Sequence, residues 1–193
     1  PISSMDFDFH THRLDIPAGT GIVSLPQDIV RNPKVWATYP SSQQLQPQGL
    51  YAAGIHPWWT LDDDFNLEEY KASLSQLWAL PQVVQIGECG FDRLRGASLD
   101  IQWSVFCAQV EESEQRKLPM TLHIVRAFDV ILQARKILRP QQVWTIHGFR
   151  GKPALAQQLL DAGFDLSFGT LYNEGAYDIA PPERRHRETD ALP

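Results

Sequence analysis

The chain has 193 residues and a mass of 21.9 kDa, near the usual size of one domain and enough to bury a sizeable core without disulfides or structural metals. Its 43% hydrophobic and 10% aromatic content, with no continuous apolar run of about 18 residues, excludes a disordered chain and a helical membrane span. Seventeen Lys and Arg against 23 Asp and Glu leave a formal charge of −6, so the basic footprint of a salt-driven nucleic-acid binder is missing and a polyanionic substrate needs local positive charge.

Residues 1–193 read as one domain, with residues 1–4, ahead of Met5, as a remnant of cloning. Cys89 and Cys107 form neither a metal-ligand spacing nor a disulfide framework, and the N-terminus lacks a charged-then-apolar signal segment. The expected setting is a reducing cytoplasm, with no membrane contact and no stable protein partner legible.

Taken in chain order, apolar runs predict strands at residues 7–10, 21–25, 50–55, 83–88, 119–124, 143–147 and 164–168. The stretch 41–49, rich in Gln, Ser and Pro, reads as a surface loop. Helical spacing joins Leu67, Tyr70, Leu74, Leu77 and Trp78; then Leu99, Trp103, Phe106 and Val110; then Phe128, Ile131, Leu132 and Leu138. A further helix is expected over 152–162, ending at Gly163 in a left-handed cap. Strands alternating with helices imply a parallel α/β sheet, doubly wound or closed as a (β/α)8 barrel, and residues 184–190 supply an eighth strand. In either architecture chemistry sits at the carboxyl ends of the strands.

The first strand ends in Phe9-His10-Thr11-His12, where residues two apart point to one side and two imidazoles can converge on an ion. Alone, the pair also fits two polar residues at a strand end. His123 and His147 end the fifth and sixth strands, Glu88 the fourth and Asp190 the eighth. Of the 6 histidines, His186 alone falls away from the far ends of the strands. Buried singly these groups would be costly, whereas a metal satisfies them together. Four histidines with Glu88 and Asp190 supply two cation sites, with a carboxylate able to bridge ions about 3.5–4 Å apart.

The sequence resembles the TatD family of metal-dependent deoxyribonucleases, within the amidohydrolase-like barrels, and especially its short divergent members. The resemblance rests on FDFHTHRLD (7–15), GIHPWW (54–59), VVQIGECGFDR (83–93), LPMTLHIVRAFDVIL (118–132), WTIHGFRGKPALAQQLLDAGFDLSFGT (144–170) and ETD (188–190), in order along nearly the whole chain. It implies a distorted (β/α)8 TIM barrel with up to two divalent ions, Zn, Mg or Mn. By the family pattern His10, His12, Glu88 and Asp190 hold one ion, and Glu88, His123 and His147 the other. Glu88 and Asp190 carry catalysis, Asp190 by helping to activate the attacking water. A metal lowers the pKa of a water toward ~7, so hydrolysis needs no covalent nucleophile.

Three further residues are candidate substrate contacts. Arg126 can fork onto a phosphate, or form an ion pair on a helix surface. His56 matches a family position near the substrate, or is a loop histidine at a cap. Arg93 shares a loop with Glu88. Cys89 reads as a small buried filler facing away from Glu88. Trp58 and Trp59 suit base stacking or closure of the barrel mouth.

Two departures bear on the C-terminal end. The strand over 184–190 is crowded with charge, which makes its pairing weak and Asp190 poorly held. The chain also stops three residues after Asp190, without the final helix usual in the family. The expected activity is phosphodiester hydrolysis, trimming DNA from an end. The alternatives are hydrolysis of a small amide, ester or lactone on the same barrel, and a metal-binding scaffold with weakened turnover.

Overall fold

A computed structural model of the chain describes residues 6–193; the reading of residues 1–4 falls outside the described residues. Eight parallel strands lie side by side in sequence order. They are β1 (Asp8–Thr11), β2 (Gly21–Ser24), β3 (Leu50–Ala53), β4 (Val83–Asp92), β5 (Met120–Val125), β6 (Trp144–Ile146), β7 (Asp165–Phe168) and β8 (Arg185–Arg187). Between them run α1 (Gln27–Arg31), α2 (Leu67–Trp78), α3 (Leu99–Arg116), α4 (Phe128–Leu138), α5 (Pro153–Asp161) and α6 (Glu174–Ile179). The result is a nearly closed α/β barrel.

Three helices begin where a side chain satisfies a free backbone N–H. Asn66, Ser98 and Asn173 accept from the first turns of α2, α3 and α6. Beyond α5, Gly163 at φ 100° lets its own N–H reach Leu160 O and that of Phe164 reach Leu159 O, a Schellman closure. Leu74 and Leu77 of α2, Phe106 of α3, Ile131 of α4 and Leu159 of α5 are buried, as are Ile86, Met120, Leu122, Trp144 and Leu166 on the strands. One continuous apolar core results. The segment expected as a plain loop over 41–49 begins with a 3-10 turn, Ser41–Gln43.

β4 runs four residues past Glu88, to Asp92, with a register irregularity against β5 between Ile86 and Cys89. The Gly87–Glu88 peptide is cis. Two glycines make the strand possible, because a Cβ on Gly87 or Gly90 would collide with the Thr121 or His123 carbonyl oxygen.

The eighth strand pairs with β7, Leu166 to Arg185 and Phe168 to Arg187, which corrects the expectation that its charges weaken pairing. Each charge has a partner. Arg184 reaches Asp165 and the Leu160 carbonyl, and His186 reaches Asp165 at 3.1 Å while stacking on Phe9. Arg185 lies over the Tyr177 ring at 4.2 Å, and Arg187 binds Asp6 and the Tyr177 hydroxyl. The barrel is joined to β1 by residues beyond β8: Asp190 N–H donates to His10 O, His12 N–H to Ala191 O, and Thr189 to both oxygens of Asp8. Asp190 thus follows the strand instead of ending it, with φ 51°.

Candidate metal centre

Glu88 is buried at the junction of every other group. Its Oε1 lies 2.8 Å from His147 Nε2 and 3.5 Å from both His123 Nδ1 and His56 Nε2. Its Oε2 lies 3.5 Å from the Nε2 atoms of His10 and His12. Those two nitrogens stand 3.3 Å apart, and Asp190 Oδ1 is 3.3 Å from the first and 3.0 Å from the second. Glu88 and His123 within β4 and β5, His10 near the end of β1, and His12, His147 and Asp190 just after β1, β6 and β8 therefore come together.

The donor chemistry fits a metal. Two Nε2 atoms 3.3 Å apart, both within reach of Glu88 Oε2 and Asp190 Oδ1, present a convergent set of nitrogen and oxygen donors that one cation can satisfy together. Ligands about 2.1 Å from one ion stand roughly 3.0–3.4 Å from each other, close to the spacings around His10, His12 and Asp190. Four overlapping trios meet this kind of convergence: His10, Glu88 and His147; His10, His12 and Asp190; His56, Glu88 and His123; His147, Glu188 and Asp190.

The facing carboxylates and imidazoles shift one another's protonation. Desolvation opposes charge on His147, but Glu88 and Glu188 outweigh it and raise its pKa well above the ordinary value. His10 is also raised, its burial overcome by Glu88 and Asp190. Burial disfavours the Glu88 charge, yet the facing imidazoles hold its carboxyl well below the usual range. Asp190 is lowered in the same way.

Two carboxylates that the motif reading does not single out complete the arrangement. Asp92 Oδ2 accepts from His123 Nε2 at 2.9 Å and Trp58 Nε1 at 2.7 Å, which leaves His123 Nδ1 to face Glu88. Glu188, 2% exposed, accepts from Gly148 N–H at 2.8 Å and sits 3.2 Å from His147 Nδ1, which leaves His147 Nε2 for the centre. Such partners fix the tautomer and ring orientation of a ligating histidine. Both lie inside quoted motifs, as the last residue of GFD and the first of ETD.

The expected substrate contacts fall in different places. His56 Nδ1 accepts from Trp58 N–H, so the ring proton sits on Nε2 and points to Glu88, and burial lowers its pKa. Arg93 forks onto Asp129 at 2.9 and 3.1 Å and also donates to the Arg126 carbonyl, outside the cluster. Arg126 is exposed in the turn before α4, at φ 51°, with no carboxylate partner for its side chain among the described residues. Cys89 is buried against the Ile86 and Thr121 carbonyls, and burial pushes its thiol up. Trp58 carries Arg95 on its face at 3.7 Å; Trp59 stacks near Tyr70.

The centre lies between two clefts. One, about 740 Å³, passes His123, His147 and Asp190 toward Arg126 and Arg150. The other, about 350 Å³, is lined by Leu25, Pro26, His56, Trp58 and Trp59. Among the described residues no helix is long and apolar enough to cross a membrane.

A 3'-5' ssDNA/RNA exonuclease TatD of Klebsiella pneumoniae is 31% identical over 174 residues, covering 79% of this chain and 63% of that protein. One of the same name from Rahnella is 39% identical over 151 residues, covering 72% and 56%. The chain thus spans under two thirds of the length of these relatives. The TatD homologue YjjV of Escherichia coli superposes with a TM-score of 0.72 at 21% identity, over 96% of this chain and 78% of that one, a likeness of fold. The family model for TatD-related DNases matches residues 18–191, and this chain belongs to that family.

Proposed function

We propose that the chain is a metal-dependent phosphodiesterase of TatD type that removes nucleotides from an end of single-stranded nucleic acid. The observation that carries this reading is the sharing of one buried carboxylate, that of Glu88, between a His10–His12–Asp190 set and a His123–His147 set. That is the layout two cations need when one acidic group bridges them. The ligand sets are His10, His12, Glu88 and Asp190 for one divalent ion, and Glu88, His123 and His147 for the other. Zinc suits the imidazoles, and magnesium or manganese suits carboxylate with phosphate.

Bound there, such ions draw charge onto a phosphoryl oxygen and acidify a water. Asp190, half exposed at the mouth, accepts the proton of the attacking water. His56 offers its Nε2–H to a phosphoryl oxygen once substrate displaces its contact with Glu88. Glu188 and Asp92 hold the His147 and His123 rings in place. Docking of Asp190 through the His10 carbonyl speaks for a working hydrolase over a scaffold without turnover. A buried free cysteine and a second free one suit a reducing cytoplasm.

The test is hydrolysis of a single-stranded oligonucleotide beside a lactone and ester panel, each with Mg²⁺, Mn²⁺ or Zn²⁺, together with metal analysis of the purified protein. Shortening of the oligonucleotide from one end, abolished by chelator, is expected. Turnover of the lactone or ester panel alone would move the assignment to small-molecule hydrolysis, and metal content without any turnover would move it to the scaffold.

A further inference from the structure

We infer that the larger cleft is a track for the phosphodiester backbone beyond the scissile bond, with Arg150 as its principal contact and Arg126 as the second. The inference rests on the nuclease reading above and adds which way the strand lies across the centre.

The arginines carry the argument. Arg13, Arg31, Arg93, Arg116, Arg184 and Arg187 each pair with a carboxylate. Arg95, Arg135 and Arg185 lie over aromatic rings. Arg139 closes the C-terminus of α4, where positive charge suits the helix dipole. Arg126 and Arg150 remain, both exposed and both without an anionic partner among the described residues, and both line the 740 Å³ cleft. The cleft's two acidic lining residues, Glu188 and Asp190, are engaged by His147 and His12, so in a chain of formal charge −6 the two guanidiniums leave positive charge facing the cleft, as a polyanion requires.

The shape of the cleft points the same way. His123, His147 and Asp190 line the same cleft, so an anion held by the arginines shares its cavity with one held at the centre. Leu94 and Leu171, also lining the cleft, are 67% and 68% exposed and offer apolar surface to unstacked bases. The 350 Å³ cleft on the other side has aromatic and aliphatic walls and no lysine or arginine lining. Its volume is at the lower end for a small-molecule site, which suits one nucleoside and not a run of phosphates. The terminal nucleoside therefore occupies the small cleft and the remaining strand runs through the large one.

The number of phosphates past the scissile bond is the variable that tests this. A dinucleotide has none, whereas an octanucleotide has several. We expect Arg150→Ala to lower the ratio of kcat/KM for octathymidylate over dithymidylate by roughly tenfold, the loss of one charge-assisted contact. Without turnover, in EDTA, the slope of log Kd against log salt for labelled octathymidylate should fall by about 0.7. Arg150→Lys should keep most of the slope. Arg139→Ala, an exposed arginine outside the cleft, should leave both readouts at the wild-type value. An equal loss on both lengths would place Arg150 at the scissile phosphate and overturn the track, as would an unchanged slope. Wild-type cleavage with no preference for length would overturn the track and leave the nuclease reading standing. Wild-type protein that neither binds nor cleaves any oligonucleotide would overturn the nuclease reading, and the track with it.

Discussion

Glu188→Gln isolates a residue that touches no proposed substrate atom yet sets the direction in which His147 points. The wild-type carboxylate gives one oxygen to Gly148 N–H at 2.8 Å and the other to the His147 Nδ1 side at 3.2 Å. Glutamine keeps the volume but has one oxygen, so one of those donors must face an NH2 group. A buried donor left unsatisfied costs about 1–3 kcal/mol. Loss of a carboxylate behind a ligating histidine lowers metal affinity about 10–100-fold, equivalent to about 1.4–2.8 kcal/mol. The first figure bears on the stability of the fold and the second on the metal, so the variant is expected to bind zinc about 10–100-fold more weakly. Competition against a chromophoric chelator measures the affinity, with thermal unfolding of the metal-free protein as control for the fold. Zinc affinity within twofold of wild type, in a folded variant, would show that His147 is oriented without Glu188 and would refute the reasoning.

Glu88→Gln should remove most bound metal and activity, because the shared carboxylate supplies the charge for both donor sets; metal content and turnover both unchanged would contradict the bridging role. The metal-free protein should lose stability as pH rises above about 6.5. His147 and His10 are raised in the folded state, so their contribution is complete below the unfolded value of about 6.5 and disappears as pH rises through the folded value. Urea unfolding across that window reads the slope, and a rise would reverse the sign of the argument. Metal affinity should increase over the same interval as protons leave the nitrogens. Hydrogen exchange should find the amides of His12, Glu188 and Asp190 protected, since each donates to a backbone carbonyl; exchange at the rate of a free peptide would mean that the chain after β8 is not docked.

The four longer helices are legible because each repeats its apolar period over enough residues to stand out, and the first seven strands because each falls in a short apolar run. α1, with five residues, and α6, with six, are too short for a period. The continuation of β4 to Asp92 depends on Gly87 and Gly90 fitting beneath the carbonyls of β5, a contact between strands that no local pattern records. β8 looks ill suited to a barrel for a similar reason: its partners Asp6, Asp165 and Tyr177 are distant or belong to other elements. At the centre, the residues at strand ends were readable as a set. Asp92 and Glu188 were not, because a carboxylate that orients a histidine leaves no spacing rule in the sequence.

The two donor sets differ in how far apart their members lie along the chain. Glu88 and His147 are separated by 59 positions, whereas His12 and Asp190 are separated by 178. Closing the longer loop costs about 1 kcal/mol more chain entropy, and it requires β8 and the residues after it to have reached β1. A chain growing from its N-terminus therefore has the residues of the Glu88–His123–His147 cluster before it has Asp190 to complete the His10–His12–Asp190 one. An ion captured early has only the first of these to bind, and arrival of the second set reports that the barrel has closed.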